Sequence, residues 1–281
     1  MKILIVGGQS SLGQSLLAVL QPFADVVTAG RSGCDMSLDL TWPVEQLQLP
    51  QGIDVVINTA AHFGVGDIDS IVEAEQVNAL GTLKLCHAAH LAGVGHFVNI
   101  SSISALLQPD SEFYGIYALS KRHADEVVQL HCARANLPCT VLRPSQLYGH
   151  DSFRKHQVFL YNAVDQALRG EDVIIYGSRD ARRNYLYAED FCQLVAAVIR
   201  QRVEGTYSCT SAQDSSLVAV ANAAIKAAGS ASNVRFNDAF KDMADNVFPY
   251  DDTLYRKTGV YPVTGIEEGL ARVIENRLIG S

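Results

Sequence analysis

The stretch KILIVGGQSSLGQSLLAVL occupies residues 2–20, and its reading decides the fold. Lys2–Val6 is an apolar run with no polar alternation, as expected of a strand covered on both faces. VGGQSSLG follows at 6–13, and a helical pattern opens at its end. Gly7 and Gly13 stand six apart, with Gly8 as a further permissive position. Glycines there let the backbone turn sharply and approach a pyrophosphate, while the helix N-terminus supplies N–H groups and a positive dipole end. An ordinary strand-to-helix turn is the alternative. Placement directly after the first strand favours the dinucleotide, with Gly7, Ser10, Ser11, Leu12 and Gly13 as its contacts. Ser10 stands where a middle glycine is common, and its hydroxyl is small enough to fit and bond a phosphate oxygen.

Working outward, apolar runs rich in Val and Ile recur at 25–29 (DVVTA), 54–58 (DVVIN), 96–100 (HFVNI), 139–143 (CTVLR) and 172–176 (DVIIY). Helical patterns separate them. One runs from about Asp69, read as an N-cap, to Ala92. Another runs from about Gly115 to Ala135, where Asn136 and Pro138 end it. Such alternation implies right-handed crossovers and an α/β fold with a doubly wound parallel sheet. After about residue 145 the rhythm loosens, so a smaller C-terminal lobe is expected. The first domain is read as 1–145 plus roughly 184–212, the lobe as roughly 146–183 plus 213–281.

Of the 281 residues, 48% are hydrophobic and 19% charged, which supports a large core and argues against disorder. The formal net charge of -8 argues against nucleic acid and acidic membranes as partners. The six cysteines form no Cys-x-x-Cys pair, so reduced thiols in a cytoplasmic protein are expected. The opening MKILIVGG is too short for a signal peptide core, and no apolar run reaches the length of a membrane span. His87, His90 and His96 are closely spaced, but no cysteine or carboxylate completes a metal site, and none is assigned.

Two further features carry chemistry. After the second strand stands Arg31 rather than Asp or Glu. A carboxylate there accepts from a ribose 2'-hydroxyl and repels a 2'-phosphate, whereas an arginine clamps the phosphate. NADP is therefore favoured, with NAD as the alternative. In FYGIYALSK, at 113–121, Tyr117 and Lys121 stand four apart and share one helix face. The spacing is weak by itself in a chain with 11 Tyr. Tyr114 is the rival phenol, but Ala118 stands four residues beyond it.

Taken in order, these motifs resemble an extended short-chain dehydrogenase/reductase of the nucleotide-sugar epimerase/dehydratase type, with a Rossmann sheet. The likeness runs over nearly the whole chain: VGGQSSLG, DLT at 39–41, NTAA at 58–61, VNALGT at 77–82, NISS at 99–102, YALSK at 117–121, VLRPSQLYG at 141–149, SRDARRNYLYAED at 178–190 and GVYPVTGIEEGL at 259–270. The resemblance implies adenine contacts at Asp39 and Leu40, cofactor packing at Ala60 and Ala61, and a structural role for Asn78.

It also implies a catalytic set of Ser102, Tyr117 and Lys121. Ser102 and Tyr117 would bond one substrate oxygen, and Lys121 would hold the nicotinamide ribose. A nearby ammonium, or a bound nicotinamide cation, is expected to lower the Tyr117 pKa. Arg183 matches the arginine that grips a nucleotide diphosphate, with Arg179 and Arg182 close by. Asn184 replaces the usual acidic residue, so a different polar contact is expected there. His62 is placed in the substrate pocket. Family dehydratases carry an acidic pair after the serine; here Ile103 and Ser104 follow, which speaks against a 4,6-dehydratase. The expected activity is epimerisation or 4-keto reduction of a nucleotide-linked sugar. The alternatives are a reductase of a non-nucleotide ketone or aldehyde, and an NADP-binding sensor without catalysis. The resemblance also implies a homodimer built on parts of 69–92 and 115–135.

Overall fold

The computed structural model describes residues 1–280. In chain order the first half holds β1 (Lys2–Val6), α1 (Ser11–Leu20), β2 (Asp25–Gly30), β3 (Met36–Ser37), β4 (Val55–Asn58), α2 (Ile68–Glu75), α3 (Thr82–Leu91), β5 (His96–Ile100), α4 (Ile116–Ala135) and β6 (Cys139–Pro144). There follow β7 (Gln146–Tyr148), α5 (Val158–Leu168), β8 (Val173–Tyr176), β9 (Arg182–Arg183), β10 (Tyr185–Tyr187), α6 (Ala188–Gln201) and β11 (Gly205–Cys209). The chain closes with β12 (Ser215–Ser216), α7 (Leu217–Ala227), β13 (Val234–Asn237), α8 (Thr253–Thr258) and α9 (Ile266–Gly280).

Two compact units emerge. The first comprises Met1–Pro144, Cys192–Cys209 and Asp251–Val260. Its centre is a seven-stranded parallel sheet in the order β11-β6-β5-β4-β1-β2-β3, the Rossmann arrangement. Every residue of β4 and β5 is buried, as expected of central strands covered on both faces. Ile3, Leu4, Ile5, Val56, Ile57, Phe97 and Val98 are all at 0% exposure, and each such side chain contributes about 1.5–3 kcal/mol on burial. The register aligns Val6 with Ala29 and Asn58, and Asn58 with Asn99. The chain therefore leaves β1, β2, β4 and β5 along one edge, at Gly7, Arg31, Thr59 and Ser101. Strand order reverses between β1 and β4, the point where such sheets open a crevice.

Residues 184–191 sort with the second unit, and Asp251–Val260 with the first. Within the first unit α8 packs on β11, where Lys257 Nζ donates to Tyr207 Oη at 2.8 Å, and is tied to the end of α6, where Gln201 Nε2 donates to Thr258 O at 2.8 Å.

The helix expected over 69–92 starts earlier and is not uniform. Asp67, not Asp69, is its N-cap, accepting from Ser70 N at 3.1 Å. Between α2 and α3, Gln76–Gly81 winds as a π-helix. Gly81 sits where a Cβ would lie 2.6 Å from Leu40 Cβ, so the helix can press against the segment after β3. The helix α4 ends as expected at Asn136, which adopts a left-handed φ of 52°.

The second unit comprises Ser145–Phe191, Thr210–Tyr250 and Tyr261–Ser281. Its helices α5, α7 and α9 pack together beside three two-stranded ribbons, β10-β7, β12-β9 and β13-β8. The run 172–176 belongs here: β8 pairs with β13, and Tyr176 at its end is exposed, so it is not a strand of the main sheet. The seventh main-sheet strand is instead β11, GTYSC, whose mixed composition conceals it. Among the described residues no helix is long and apolar enough to cross a membrane.

Candidate active site

The glycine loop is fixed by backbone crowding. Gly7 has φ +82°, and a Cβ on it would lie 2.7 Å from Ala60 N. A Cβ on Gly13 would lie 2.5 Å from Gly7 O. Ser10 does not need to be glycine, because it caps α1: its Oγ accepts from Gly13 N at 2.9 Å and meets Thr59 Oγ1 at 3.1 Å.

A groove of about 250 Å³ opens over this loop. It brings together Gly7, Ser10, Arg31, Asp39, Leu40, Ala60, Ala61 and His62, eight of the residues singled out in the sequence. Ser11, Leu12 and Gly13 do not line it; they form the first turn of α1, with Leu12 and Gly13 buried. Asp39 Oδ1 accepts from Thr41 N and Oγ1, at 2.9 and 2.8 Å, which fixes its carboxylate at the groove wall.

The sequence reading missed Glu73, which also lines the groove. Its two oxygens meet two different loops: Oε1 lies 3.2 Å from Arg31 Nη1, and Oε2 lies 3.4 Å from His62 Nε2. His62 is held in turn by Asn78, whose Oδ1 accepts from His62 N at 2.8 Å and whose Nδ2 donates to His62 O at 2.7 Å. The same Nδ2 reaches Ser120 Oγ on α4 at 2.9 Å. Asn78 thus ties the loop after β4 to the central helices, the structural role expected of it.

Ser102, Tyr117 and Lys121 also come together, outside the lining of the groove. Ser102 lies two residues past the end of β5, caps the turn at 103–106 through Ser104 N at 3.1 Å, and hydrogen-bonds the Tyr117 phenol. Lys121 is 3% exposed; its Nζ donates to Ile100 O at 3.1 Å and lies 5.9 Å from the centre of the Tyr117 ring. Phe63, one residue beyond His62, stacks on Tyr117 at 4.5 Å and 16°. Tyr114 instead faces the guanidinium of Arg122 at 5.7 Å.

The expected lowering of the Tyr117 pKa is not found. Burial pushes the phenol up to about 12; the Ser102 hydrogen bond opposes this, and the Asp125 charge adds to it. Burial also pushes Lys121 down to about 8, against the pull of Asp125. Loss of solvation outweighs mutual stabilisation here because both charged forms would be surrounded by protein. Asp125 was not foreseen, although its spacing from Lys121 places it on the same face of α4. It is fully buried and accepts from Arg143 Nε at 2.7 Å.

Arg183 lies in the second unit, on β9. It is 8% exposed, and its Nη1 donates to Arg182 O and Ala244 O at 2.8 and 2.7 Å. Burial lowers its pKa below the usual arginine range. Arg179 pairs with Asp245 at 2.7 Å, and Arg182 N donates to the same carboxylate. Asn184 makes the different contact expected of it: Nδ2 donates to Asp214 Oδ1 at 2.7 Å, and Oδ1 accepts from Ser211 N at 2.9 Å. Of the histidines, His96 is buried against Thr140 Oγ1 at 2.7 Å, and burial pushes its pKa down to about 4.

Residues 3–209 match the Epimerase family model, described as the NAD dependent epimerase/dehydratase family. The chain is similar to dTDP-D-glucose 4,6-dehydratase of Mus musculus, 27% identical over 242 residues, which are 79% of this chain and 67% of that protein. It is also similar to the trifunctional enzyme RHM1 of Arabidopsis thaliana, a UDP-glucose 4,6-dehydratase, 3,5-epimerase and UDP-4-keto-L-rhamnose reductase. That match is 23% identical and covers 83% of this chain but only 37% of the plant protein. Among solved structures, UDP-N-acetylglucosamine 4-epimerase from Bacillus cereus superposes with a TM-score of 0.80 at 20% identity, over 98% of this chain and 96% of that one. UDP-glucuronic acid 4-epimerase from Bacillus cereus, in complex with NAD, gives 0.79 at 18% identity over 99% of each chain. These likenesses establish the shared fold.

Proposed function

The chain belongs to the NAD dependent epimerase/dehydratase family, and from that membership we propose that it is a nicotinamide-dependent epimerase or 4-keto reductase of a nucleotide-linked sugar. The observation that carries the reading is the cluster of Ser102, Tyr117 and Lys121 at the carboxyl edge of β5.

The groove residues fit a dinucleotide. The N-terminus of α1, at Gly7 and Ser10, would receive the pyrophosphate, the apolar walls at Leu40 and Val77 suit a flat base, and Arg31 supplies a cation nearby. A bound nicotinamide supplies or takes up hydride. Ser102 and Tyr117 present two hydroxyls to one substrate oxygen and orient it. Tyr117 passes the proton at its Oη. Lys121, held by Ile100 O, would hold the nicotinamide ribose with its ammonium. Ile103, which is buried, and Ser104, whose N–H is spent on Ser102, put no carboxylate directly after Ser102 for water elimination. Arg183 is assigned to the substrate diphosphate by its guanidinium. Arg31 is assigned to the 2'-phosphate of NADP, which makes NADP the favoured cofactor over NAD. We also place the protein in the cytoplasm, as a homodimer.

The test is direct. The purified protein is titrated calorimetrically with UDP and dTDP, and nucleotide-linked 4-keto sugars are offered with NADPH and NADH. Binding of a nucleotide, lost in Arg183→Ala, is expected, with turnover that depends on Tyr117. Turnover of simple ketones with no nucleotide binding, unchanged in Arg183→Ala, would move the assignment to a non-nucleotide reductase. Dinucleotide binding without any turnover would make it a sensor.

A further inference from the structure

The carboxylate expected after β2 in an NAD-binding chain is absent there, since Arg31 takes its place. Glu73 brings a carboxylate to the same groove from α2. Its oxygens are divided between Arg31 Nη1 at 3.2 Å and His62 Nε2 at 3.4 Å. His62 is firmly oriented: Asn78 grips its backbone on both sides, and Gly64 N donates to its Nδ1 at 3.2 Å. With Nδ1 accepting, Nε2 carries the ring hydrogen and stands 3.4 Å from Glu73 Oε2. Arg31 is anchored far less. Its side chain is 67% exposed, and an ion pair so exposed is weak.

We propose that Glu73 sets which nicotinamide dinucleotide this protein prefers, because its carboxylate competes with a 2'-phosphate for Arg31. The proposal rests on the reading that this groove takes such a dinucleotide. When the ribose carries a free 2'-hydroxyl, the Arg31–Glu73 pair stays intact, and a carboxylate is present as an acceptor. When it carries a phosphate, Arg31 must leave Glu73, and a dianion must sit in the same groove as a carboxylate that still lies beside His62. Arg31 thus favours NADP, and Glu73 subtracts from that preference. The acidic residue that discriminates ribose from phosphorylated ribose has in effect moved from the end of β2 to α2.

The test measures Kd for NADPH and NADH by nucleotide fluorescence, on wild type, Glu73→Gln, Arg31→Ala and the double variant. Glu73→Gln is expected to tighten NADPH roughly fivefold while NADH changes less than about twofold. Arg31→Ala is expected to weaken NADPH and leave NADH nearly unchanged, and in that background the Glu73→Gln gain should shrink. Because Glu73 is partly exposed and Gln is isosteric, matching thermal unfolding curves are expected for wild type and variant. A Glu73→Gln variant that leaves NADPH affinity unchanged, or shifts both dinucleotides equally, overturns the proposal. Wild type that binds neither dinucleotide removes the underlying reading instead.

Discussion

Asp125 stands one helical turn beyond Lys121 on α4, and the two side chains are buried together, at 0% and 3% exposure. The carboxylate answers two cations at once: it raises the pKa of Lys121 against the cost of burial, and it bonds Arg143 at 2.7 Å. Burial pushes its own pKa up, which Arg143 and Lys121 oppose. Asp125 does not line the groove; its charge bears on Lys121 and also raises the Tyr117 pKa, so under the proposed function it is a positioning residue for that pair.

Replacing it tests that role. In Asp125→Asn, Lys121 loses the charge that holds its proton, and Arg143 is left beside a neutral amide. The lysine ammonium is expected to titrate below its wild-type value of about 8, read by nitrogen-detected NMR. Stability should fall by about 3 kcal/mol in urea unfolding, since one member of a buried pair is stranded. An unmoved lysine titration would show that the carboxylate serves Arg143 alone.

Tyr117→Phe removes one oxygen and keeps the ring that stacks on Phe63. Turnover is expected to fall by about 10²–10⁴-fold, the usual scale of a lost proton-transfer group. Dinucleotide Kd should stay within about twofold, because the ring is retained. Turnover near wild type would remove Tyr117 from the chemistry.

The buried pair also gives stability a characteristic pH dependence. Lys121 falls from 10.5 to about 8 on folding, so between those values the unfolded chain holds more protons and stability rises with pH. Tyr117 climbs from 10 to about 12, so in that window the folded chain holds more protons and stability falls as pH rises. Urea midpoints collected from pH 8 to 10 should climb in wild type. The Lys121→Met variant should lose that climb, whose slope is at most about 1.4 kcal/mol per pH unit. Parallel curves for the two proteins would contradict the assignment.

The loop after β1 should discriminate between its two kinds of small residue. Gly7→Ala forces a side chain into φ +82° and against Ala60 N, and a loss of about 2 kcal/mol with impaired dinucleotide binding is expected. Ser10→Ala removes the α1 cap and the contact with Thr59 Oγ1, and should cost about 1 kcal/mol. Equal losses in chemical denaturation would mean that crowding at Gly7 is relieved by movement of the loop.

The proposed dimer comes from the family resemblance, and apolar side chains left exposed on α4 and on the helical stretch before it, including Leu80, Leu91, Leu119 and Leu130, would supply its contacts. Light scattering should give the mass of two chains, and Leu130→Arg should reduce it to one. A monomeric wild type would refute the assembly.

Much of this architecture was legible because it depends on local pattern. The first strand and its loop, the buried β4 and β5, and the stop at Asn136 follow from apolar runs, glycine spacing and a left-handed cap. The strand at 172–176 read the same way but pairs with β13, since apolar composition does not say which partner a strand will meet. The mixed composition of β11 concealed it for the converse reason. Spacing put Tyr117 and Lys121 on one helix face, and only the family resemblance joined Ser102 to them; the three do come together in the fold. The protonation behaviour of Tyr117 was not legible, because burial is a property of the folded surroundings. Glu73 and Asp125 were overlooked although each shares a helix with residues that were noticed. Their partners, Arg31 and Arg143, lie 42 and 18 positions away, where spacing carries no signal.

The π-helical turn at Gln76–Gly81 makes the long helical stretch sensitive to its own length. A residue advances an α-helix by about 100°, so excising one residue from this turn and restoring regular winding would rotate everything upstream relative to everything downstream. Asn78 could keep its hold on His62 only if Glu73 swung away from it, or the reverse. The two clasps on one histidine are thus phased by a local unwinding, and a single-residue deletion there should be harsher than most substitutions in the same segment.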